Sequence, residues 1–386
     1  MQAANWSYPT EVRFGPGRLA ELAEACRATG ILRPLLVTDP GVVELDICAS
    51  AMAVLRDGGL EPAVFAEVRP NPVEANVTAG VAAVRQGGHD GVVVFGGGSA
   101  MDVGKSVALM VGQSRPIWDF EDVGDWWTRA DADAILPVVA VPTTSGTGSE
   151  TGRAGVITNT ETHVKKVIFH PRMLPKVVIL DPELTVGLPP ALTAGTGMDA
   201  FAHCLEAYCA PSFHPMSEGI AVEGLRLVAR ALPRAHAQGS DIEARGMMMA
   251  AAAMGSVAFQ KGLGAIHALS HPLGALYDAP HGLTNAVVMP YALAWNREAI
   301  EPKIARLAAW LELEQPDFGG FLAWVLDMRA RLGVPHDLTG LGVTDDTRFE
   351  ELTEKALVDP TAGGNPRPLT REGVLEMYAA ALAGRV

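Results

Sequence analysis

Cysteine is scarce in this sequence of 386 residues. Only four cysteines occur, and none of them forms a CxxC pair: Cys26, Cys48, Cys204 and Cys209. So few and so scattered, they exclude a disulfide framework and a zinc site built from cysteines, and they fit a reducing compartment.

Positive charge and long apolar runs are also lacking. The chain has 30 Lys and Arg against 44 Asp and Glu, a net charge of -14. Because nucleic acids and anionic lipids would repel such a chain, we expect neither as a partner. The most apolar stretch, Met247–Phe259, is too short to span a bilayer. The N-terminal residues lack the basic start and apolar core of a secretory signal, so we expect a cytoplasmic protein.

The sequence pattern changes near residue 190. Before it, short β-branched runs alternate with amphipathic stretches, which predicts a parallel sheet covered by helices. After it we find no strand pattern, and segments rich in Ala, Leu and Met predict helices, with starts at Thr193, Asp241 and Thr370. The length also favours two domains. We therefore predict an α/β dinucleotide-binding domain over residues 1–190 and an all-helical domain over 191–386.

Individual elements are predicted from the same pattern. The strands are expected at Pro34–Thr38, Ala63–Ala66, Gly91–Phe95, Leu136–Val141, Val164–Phe169 and Val177–Leu180. The later helices are expected at Ala194–Tyr208, Met216–Ala237, Ile242–Phe259, Thr284–Trp295, Pro302–Leu311, Phe318–Leu332 and Thr370–Ala383.

A glycine-rich segment follows the third predicted strand, Gly91–Phe95. Gly96-Gly97-Gly98 would let the backbone approach a bulky anion, and a helix is expected from about Ser99, with Asp102 placed as in a capping box. The N–H groups at that helix start would face a pyrophosphate. Met101 stands where the third glycine of the dinucleotide fingerprint would be, so a tight turn without a ligand is the alternative.

A second polar loop, Pro142–Glu150, follows the next predicted strand. It is rich in hydroxyl groups and glycine at a position where open α/β sheets bind ligands. A simple polar turn is the alternative, but one dinucleotide could touch both loops.

One carboxylate and several histidines cluster in the second half of the chain. Asp199 and His203 are four residues apart, as are His267 and His271, and His281 follows Pro280. Residues at this spacing project side by side from one helix and can chelate one ion, although single histidines in helices are more often packing or surface residues. Oxygen and nitrogen donors suit Fe(II), Zn(II), Mn(II) or Ni(II).

Together these motifs resemble the iron-containing (type III) alcohol dehydrogenases over almost the whole chain. The matching segments are residues 96–102, 143–150, 197–208, 267–274 and 280–282, and residues 8–15 resemble the family's first strand. The resemblance implies a dehydroquinate synthase-like architecture with a Rossmann-like domain. It also implies transfer of a hydride between NAD(H) and a small primary alcohol or aldehyde, with a metal acting as Lewis acid on the oxygen.

The resemblance also implies roles for particular residues. Fe(II), or Zn(II) in some members, would bind to Asp199, His203, His267 and His281, while His271 would be catalytic without being a ligand. NAD would bind to Asp39, Asn71, Gly97, Gly98, Ser99, Asp102, Thr143, Thr144, Thr147 and Lys165. For His271, proton relay and orientation of a ligand stay open as alternative roles.

Other functions remain open at this point. The same metal and cofactor architecture could serve a zinc-type polyol dehydrogenase or a cyclase that uses NAD transiently. A metallohydrolase could use a site of one Asp and three His without a nucleotide, and a non-enzymatic metal- or nucleotide-binding sensor is a further alternative. Lys261 and Arg153 could instead pair with an anionic substrate, a short hydroxy-acid or semialdehyde, although the favoured interpretation is that both are surface charges. We also expect a homodimer or a higher homo-oligomer.

Overall fold

The computed structural model describes residues 10–386, and these divide into two compact units. The α/β unit comprises residues 10–144 and Gly148–Gly187. The helical unit comprises Leu188–Val386 together with Ser145–Thr147. No described helix combines the length and the apolar character that crossing a bilayer requires.

The α/β unit is built around a six-stranded, entirely parallel sheet in the order β1-β8-β5-β4-β2-β3. Strands β2, β4, β5 and β8 are buried along their whole length, as continuous apolar runs in a helix-covered sheet should be. The strands are β1 Glu11–Phe14, β2 Pro34–Val37, β3 Ala63–Phe65, β4 Gly91–Gly96, β5 Val138–Pro142 and β8 Val177–Leu180, and the helices are α1 Leu22–Ala28, α2 Asp46–Asp57, α3 Glu74–Gly87 and α4 Gly98–Met110.

This architecture confirms the predicted fold class, but one predicted strand lies elsewhere. Val164–Phe169 (β7) pairs antiparallel with Ala154–Asn159 (β6), a strand that was not predicted, in a separate two-stranded sheet. The link between β6 and β7 is too short for the crossover that parallel pairing needs, so only a hairpin can form. Asn159 closes its turn by accepting hydrogen bonds from the N–H groups of Glu161 and Thr162.

The strand order creates a switch point between β2 and β4. The chain leaves β2 for β3 on one side and returns as β4 on the other, so the loops after β2 and β4 diverge at the carboxyl edge of the sheet. Ligands of open α/β sheets bind at such a point. Asp39 and the glycine-rich segment follow these two strands.

The helical unit contains no strand among the described residues. Its helices are α5 Pro190–Cys209, α6 Pro215–Ala237, α7 Ile242–Ala258, α8 Ala265–Tyr277, α9 His281–Trp310, α10 Phe318–Arg331, α11 Phe349–Leu357 and α12 Arg371–Ala383. The predicted starts at Asp241 and Thr370 are confirmed, since both side chains cap their helices by accepting from backbone N–H groups.

Three helical predictions were wrong in detail. Helix α5 begins at Pro190 rather than Thr193, because proline is well tolerated in a first turn. The two helices predicted at Thr284–Trp295 and Pro302–Leu311 are one helix, α9, which continues through two prolines. Helix α11 was not predicted at all.

Candidate metal centre and nucleotide loops

Three helices of the helical unit bring the four predicted metal ligands together. Asp199 and His203 lie one turn apart on α5, His267 lies near the start of α8, and His281 opens α9. Asp199 Oδ1 is 3.8 Å from His267 Nε2 and 3.4 Å from His281 Nε2, and Asp199 Oδ2 is 4.0 Å from His203 Nδ1. Donor atoms at these separations can share one cation.

The donor set fits a divalent metal. Among the described residues, possible ligand atoms of Asp199, His203 and His267 lie within 4.8 Å of one another, and all three residues are buried. His203 Nδ1 is buried without a hydrogen-bond partner in the described part of the chain. Burial lowers the pKa of His203 to about 4, despite the opposing carboxylate of Asp199, so its imidazole is neutral and free to coordinate.

Glu206 supports the centre from behind, although it was not predicted. Its Oε2 accepts a hydrogen bond of 2.5 Å from His267 Nδ1, and its Oε1 accepts one of 2.7 Å from the N–H of Ile266. Because the carboxylate can only accept, the proton of His267 lies on Nδ1 and Nε2 faces Asp199. Carboxylates commonly orient a metal-binding imidazole in this way. Its position on the face of α5 that carries Asp199 and His203 was an available signal.

Asn285 is a second unpredicted member of the site. It is fully buried one turn after His281 on α9, and its Nδ2 donates a hydrogen bond of 2.8 Å to Asp199 Oδ1. The same Nδ2 lies 3.2 Å from His267 Nε2 and 3.3 Å from His281 Nε2. The amide therefore restrains the rotation of the Asp199 carboxylate at the point where the donor atoms converge.

His271 lies beside the centre and pairs with a carboxylate from a distant segment. Its ring stacks on His281 with centroids 5.3 Å apart, and its Nδ1 is 2.8 Å from Asp359 Oδ2. Burial disfavours the charge of Asp359, but His271 and the bonds from Thr361 hold the pKa of Asp359 below its ordinary value. His271 is thus fixed in orientation. No sequence motif pointed to Asp359.

In the α/β unit, the glycine-rich segment leads from β4 into α4 as predicted. A Cβ on Gly96, at φ +147, would lie 2.9 Å from Ala100 Cβ, and a Cβ on Gly97 would lie 3.4 Å from the Thr144 side chain. A side chain at Gly96 or Gly97 would therefore fill the space above the glycine-rich segment. Thr143 N–H donates to Gly96 O at 3.0 Å, so the second loop starts directly beside the first. The first N–H groups of α4, at Gly98 and Ser99, open this edge to an anion.

Two details of the glycine-rich segment differ from expectation. Helix α4 begins at Gly98, and no side chain caps it, so Asp102 does not form a capping box. Asp102 instead accepts from Ser149 Oγ at 2.6 Å and from the N–H of Val156 at 3.0 Å. In the dinucleotide fingerprint the third glycine allows the helix to pack closely on the strand. Here Gly104 allows this close packing, since a Cβ on it would lie 2.0 Å from Val94 Cγ1.

Asp39 lies at the switch point, and its two carboxylate oxygens have different surroundings. Its Oδ1 accepts from the N–H groups of Gly41 and Val42 at 2.9 Å each, which builds the turn after β2. Its Oδ2 lies 3.6 Å from the position of a Cβ on Gly96. One oxygen thus shapes the turn while the other faces the glycine-rich segment.

The remaining predicted nucleotide residues are spread over both units. Asn71 adopts a left-handed conformation, with φ 47, in the loop before α3, and Lys165 lies on β7 of the hairpin. Thr147 belongs to the short segment that groups with the helical unit.

Lys261 is not placed to bind a substrate anion. It is buried, and its Nζ donates to the carbonyl oxygens of Ala207, Tyr208 and Ala210 at the end of α5, with Glu218 at 3.3 Å. It therefore serves the C-terminal carbonyls of that helix, which attract cations. Neither prediction for Lys261, as a substrate partner or as a surface charge, was right. Arg153 lies over the ring of Phe169 on its own hairpin, 5.5 Å from the centroid.

Comparison with known proteins gives the family. The family model described as iron-containing alcohol dehydrogenase matches residues 9–182, and the model for the C-terminal domain of Fe-containing alcohol dehydrogenases matches residues 193–382. The chain belongs to the iron-containing alcohol dehydrogenase family. It is an oxidoreductase of the EC 1.1.1.- class, which confirms the function predicted from the motifs.

Three individual proteins match this chain along nearly their full length. The 4-hydroxybutyrate dehydrogenase of Cupriavidus necator is 42% identical, over 93% of this chain and 95% of that protein. The crystal structure of a 1,3-propanediol oxidoreductase has a TM-score of 0.93 at 36% identity, covering 98% of this chain and 100% of the other. Sulfoacetaldehyde reductase from Bifidobacterium kashiwanohense, in complex with NAD+, has a TM-score of 0.89 at 29% identity, covering 99% and 100%.

Proposed function

We propose that this dehydrogenase transfers a hydride between NAD(H) and a small primary alcohol or aldehyde, with one divalent metal bound by Asp199, His203, His267 and His281. The observation that carries the proposal is the convergence of this carboxylate and these imidazoles within the helical unit. The oxygen and nitrogen donors suit Fe(II) as the resident ion, with Zn(II) as the alternative.

For the nucleotide we propose the two loops at the carboxyl edge of the sheet. Gly97, Gly98 and Ser99 would hold the pyrophosphate through backbone N–H groups. Thr143, Thr144, Thr147 and Lys165 would lie farther along the dinucleotide, and Asp39 and Asn71 would serve its adenosine half. Asp102 is proposed to act indirectly, since both of its oxygens already accept hydrogen bonds from the chain.

The chemistry divides between the bound groups and the chain. The metal supplies a Lewis acid for the alcohol oxygen, and the nicotinamide supplies a hydride acceptor. Glu206 keeps His267 in the tautomer that leaves Nε2 available for coordination, and Asn285 holds Asp199 by its Oδ1. His271, oriented by Asp359, is proposed to exchange the alcohol proton through its Nε2.

The substrate class has two candidates. A plain short alcohol or aldehyde is favoured, because Lys261, the cation closest in sequence to the ligand His267 on its N-terminal side, is already bound to α5 and Glu218. A short hydroxy-acid or semialdehyde is the second candidate, since a relative 42% identical is named for 4-hydroxybutyrate. Comparing kcat/KM for 1-butanol and 4-hydroxybutyrate separates the two.

The test of the proposal combines metal analysis with turnover. Replacing His267 or His281 by Ala should lower metal content and abolish NADH formation, while NAD binding persists. Replacing His271 by Ala should keep the metal and lower mainly kcat. Full activity of a metal-free preparation would refute the metal-assisted mechanism, and metal loss in His271→Ala would make that residue a ligand.

We also propose a homodimer or a higher homo-oligomer in the cytoplasm. Strand β1 lies at an edge of the sheet, and its Val12 and Phe14 side chains are exposed, as a surface that pairs with another chain would be. The four cysteines are free and buried, which fits a reducing compartment.

A further inference from the structure

Lys105 is a fully buried cation that the proposed chemistry does not use. It lies on α4 with no exposed surface, and its Nζ donates to Ser149 O and Ser149 Oγ at 2.7 Å each, to Gly152 O at 3.4 Å, and to Ala154 O. These four oxygen atoms, which we call the oxygen cage, all come from the segment of residues 149–154.

Charge around the oxygen cage is balanced within the α/β unit. Ser149 Oγ accepts from Lys105 and donates to Asp102 Oδ1, which itself lies 3.9 Å from Lys105 Nζ. Burial lowers the pKa of Lys105 to about 8, against the opposing carboxylates of Asp102 and Glu150, so the ammonium remains charged at neutral pH. A buried charge persists only where such partners compensate its lost hydration.

We propose that the Lys105 ammonium is a built-in monovalent cation that holds the segment 149–154 on α4 and thereby positions the two nucleotide loops. Its coordination by backbone carbonyls and one hydroxyl is the kind that replaces the hydration shell of K+ in proteins. Lys105 is a positioning residue, because every oxygen that it binds belongs to the chain. The inference rests on the proposed nucleotide site.

The location of the oxygen cage explains the link to the cofactor. Helix α4 begins at Gly98, within the glycine-rich segment, and the segment 149–154 begins where the second loop ends. The start of the second loop is already tied to the glycine-rich segment by the bond from Thr143 N–H to Gly96 O. Lys105 ties down its far end, and a loop held in its binding conformation costs less ordering entropy when a ligand binds.

The experiment removes the Lys105 ammonium from the oxygen cage and tests whether an added monovalent cation replaces it. In Lys105→Ala, the affinity for NAD measured in sodium buffer should fall roughly 10-fold, the scale of losing a preorganised loop. Ammonium or potassium chloride should restore most of the affinity, whereas tetramethylammonium chloride at matched ionic strength should not. Lys105→Met fills the oxygen cage with an apolar chain of similar length, so it should bind NAD weakly and respond to no ion.

Two further measurements separate the oxygen cage from general effects. The melting temperature of Lys105→Ala without NAD should rise with ammonium or potassium but not with tetramethylammonium. Lys166→Ala removes a cation that pairs with Glu121 at 2.6 Å outside the oxygen cage, and it should show no ion-specific response.

Failure of this inference is distinct from failure of the proposed function. If wild type does not bind NAD, the proposed function is wrong. If wild type binds NAD but Lys105→Ala is equally weak in all three salts, or Lys105→Met binds like wild type, the built-in cation is wrong. Should Lys105→Ala not fold, Ser149→Ala decides: we expect weaker NAD binding, and wild-type affinity would overturn the inference.

Discussion

At the scale of single residues, Glu206 links the backbone of α8 to the metal centre. Its two oxygens accept from His267 Nδ1 and from the N–H of Ile266, so the carboxylate fixes both the tautomer and the ring position of one proposed ligand. The bond to His267 depends on a full negative charge in a buried place, where a charge-assisted hydrogen bond is strongest.

Replacing Glu206 by Gln should weaken metal binding by ~10-fold or more, the usual effect of losing a partner that orients a ligand. Competition with a chromophoric chelator measures this affinity. Glu223→Gln, which breaks only an exposed pair with Arg226 on α6, is the matched control and should leave the affinity unchanged. Equal affinities in the Glu206 and Glu223 variants would contradict the role given to Glu206.

Asp39 determines the choice between NAD and NADP if its Oδ2 binds the adenosine ribose. A carboxylate there accepts from the 2′- and 3′-hydroxyls of NAD but repels the 2′-phosphate of NADP, so we expect a preference of ~10²-fold or more for NAD. Asp39→Gly should raise kcat/KM with NADP and lower it with NAD.

The variant Asp39→Asn separates charge from turn geometry. Its side-chain oxygen can still accept from Gly41 and Val42, so the turn survives while the charge is lost. It should therefore also relax the preference. A wild type that prefers NADP, or an unchanged cofactor ratio in both variants, would show that Asp39 only shapes the turn.

At the scale of elements, α4 is enclosed on two sides by strands. All residues from Ala100 to Leu109 are buried, and the helix approaches β4 at Gly104 and β6 at Gly155. A Cβ on Gly155 would lie 2.8 Å from Asp102 O. Glycines at both contacts allow the backbones to come this close, and the position of the glycine-rich segment follows from that packing.

The effect of replacing a helical glycine by alanine should therefore depend on which atoms the added Cβ would contact. Gly104→Ala places a methyl group against Val94, so we expect a loss of about 1–3 kcal/mol in stability, the cost of overpacking a core. Gly219→Ala on α6 meets nothing within 4 Å and should gain about 0.5–1 kcal/mol from helix propensity. Denaturant unfolding measures both, and a destabilised Gly219→Ala or a neutral Gly104→Ala would contradict this packing.

At the scale of the whole molecule, the proposed metal ligands and most of the proposed nucleotide residues belong to different units, with Thr147 as an exception. The proposed metal ligands all belong to the helical unit, whereas the glycine-rich segment, Asp39 and the oxygen cage belong to the α/β unit. Hydride transfer needs both sites, but binding of each ligand should be separable from the other.

Removing the metal should therefore abolish turnover and spare NAD binding. Chelator treatment should also lower the melting temperature, because an ion bound only by the folded protein stabilises it by mass action. Calorimetric titration with NAD before and after treatment, followed by addition of Fe(II) or Zn(II), is the measurement. Loss of NAD binding on chelation, or activity without added metal, would contradict the separation of metal binding from NAD binding.

What the sequence determined by itself was local. The strand and helix periods, the spacing of Asp199 and His203, and the glycines after β4 express their structure within a few residues. The fold class and the pairing of Asp199 with His203 on one helix face could therefore be predicted. The resemblance to a family then supplied roles that spacing alone left open.

Only the tertiary structure decided the partners of those residues. Asp359 contacts His271 across 88 residues of sequence, and Lys261, close to His267 in sequence, donates instead to the carbonyls of α5. The pairing of β6 with β7 and the oxygen cage of Lys105 likewise depend on which surfaces pack together. Such contacts leave no periodic pattern in the sequence. A buried charge is stabilised by groups that compensate its lost hydration, and these groups come from distant parts of the chain.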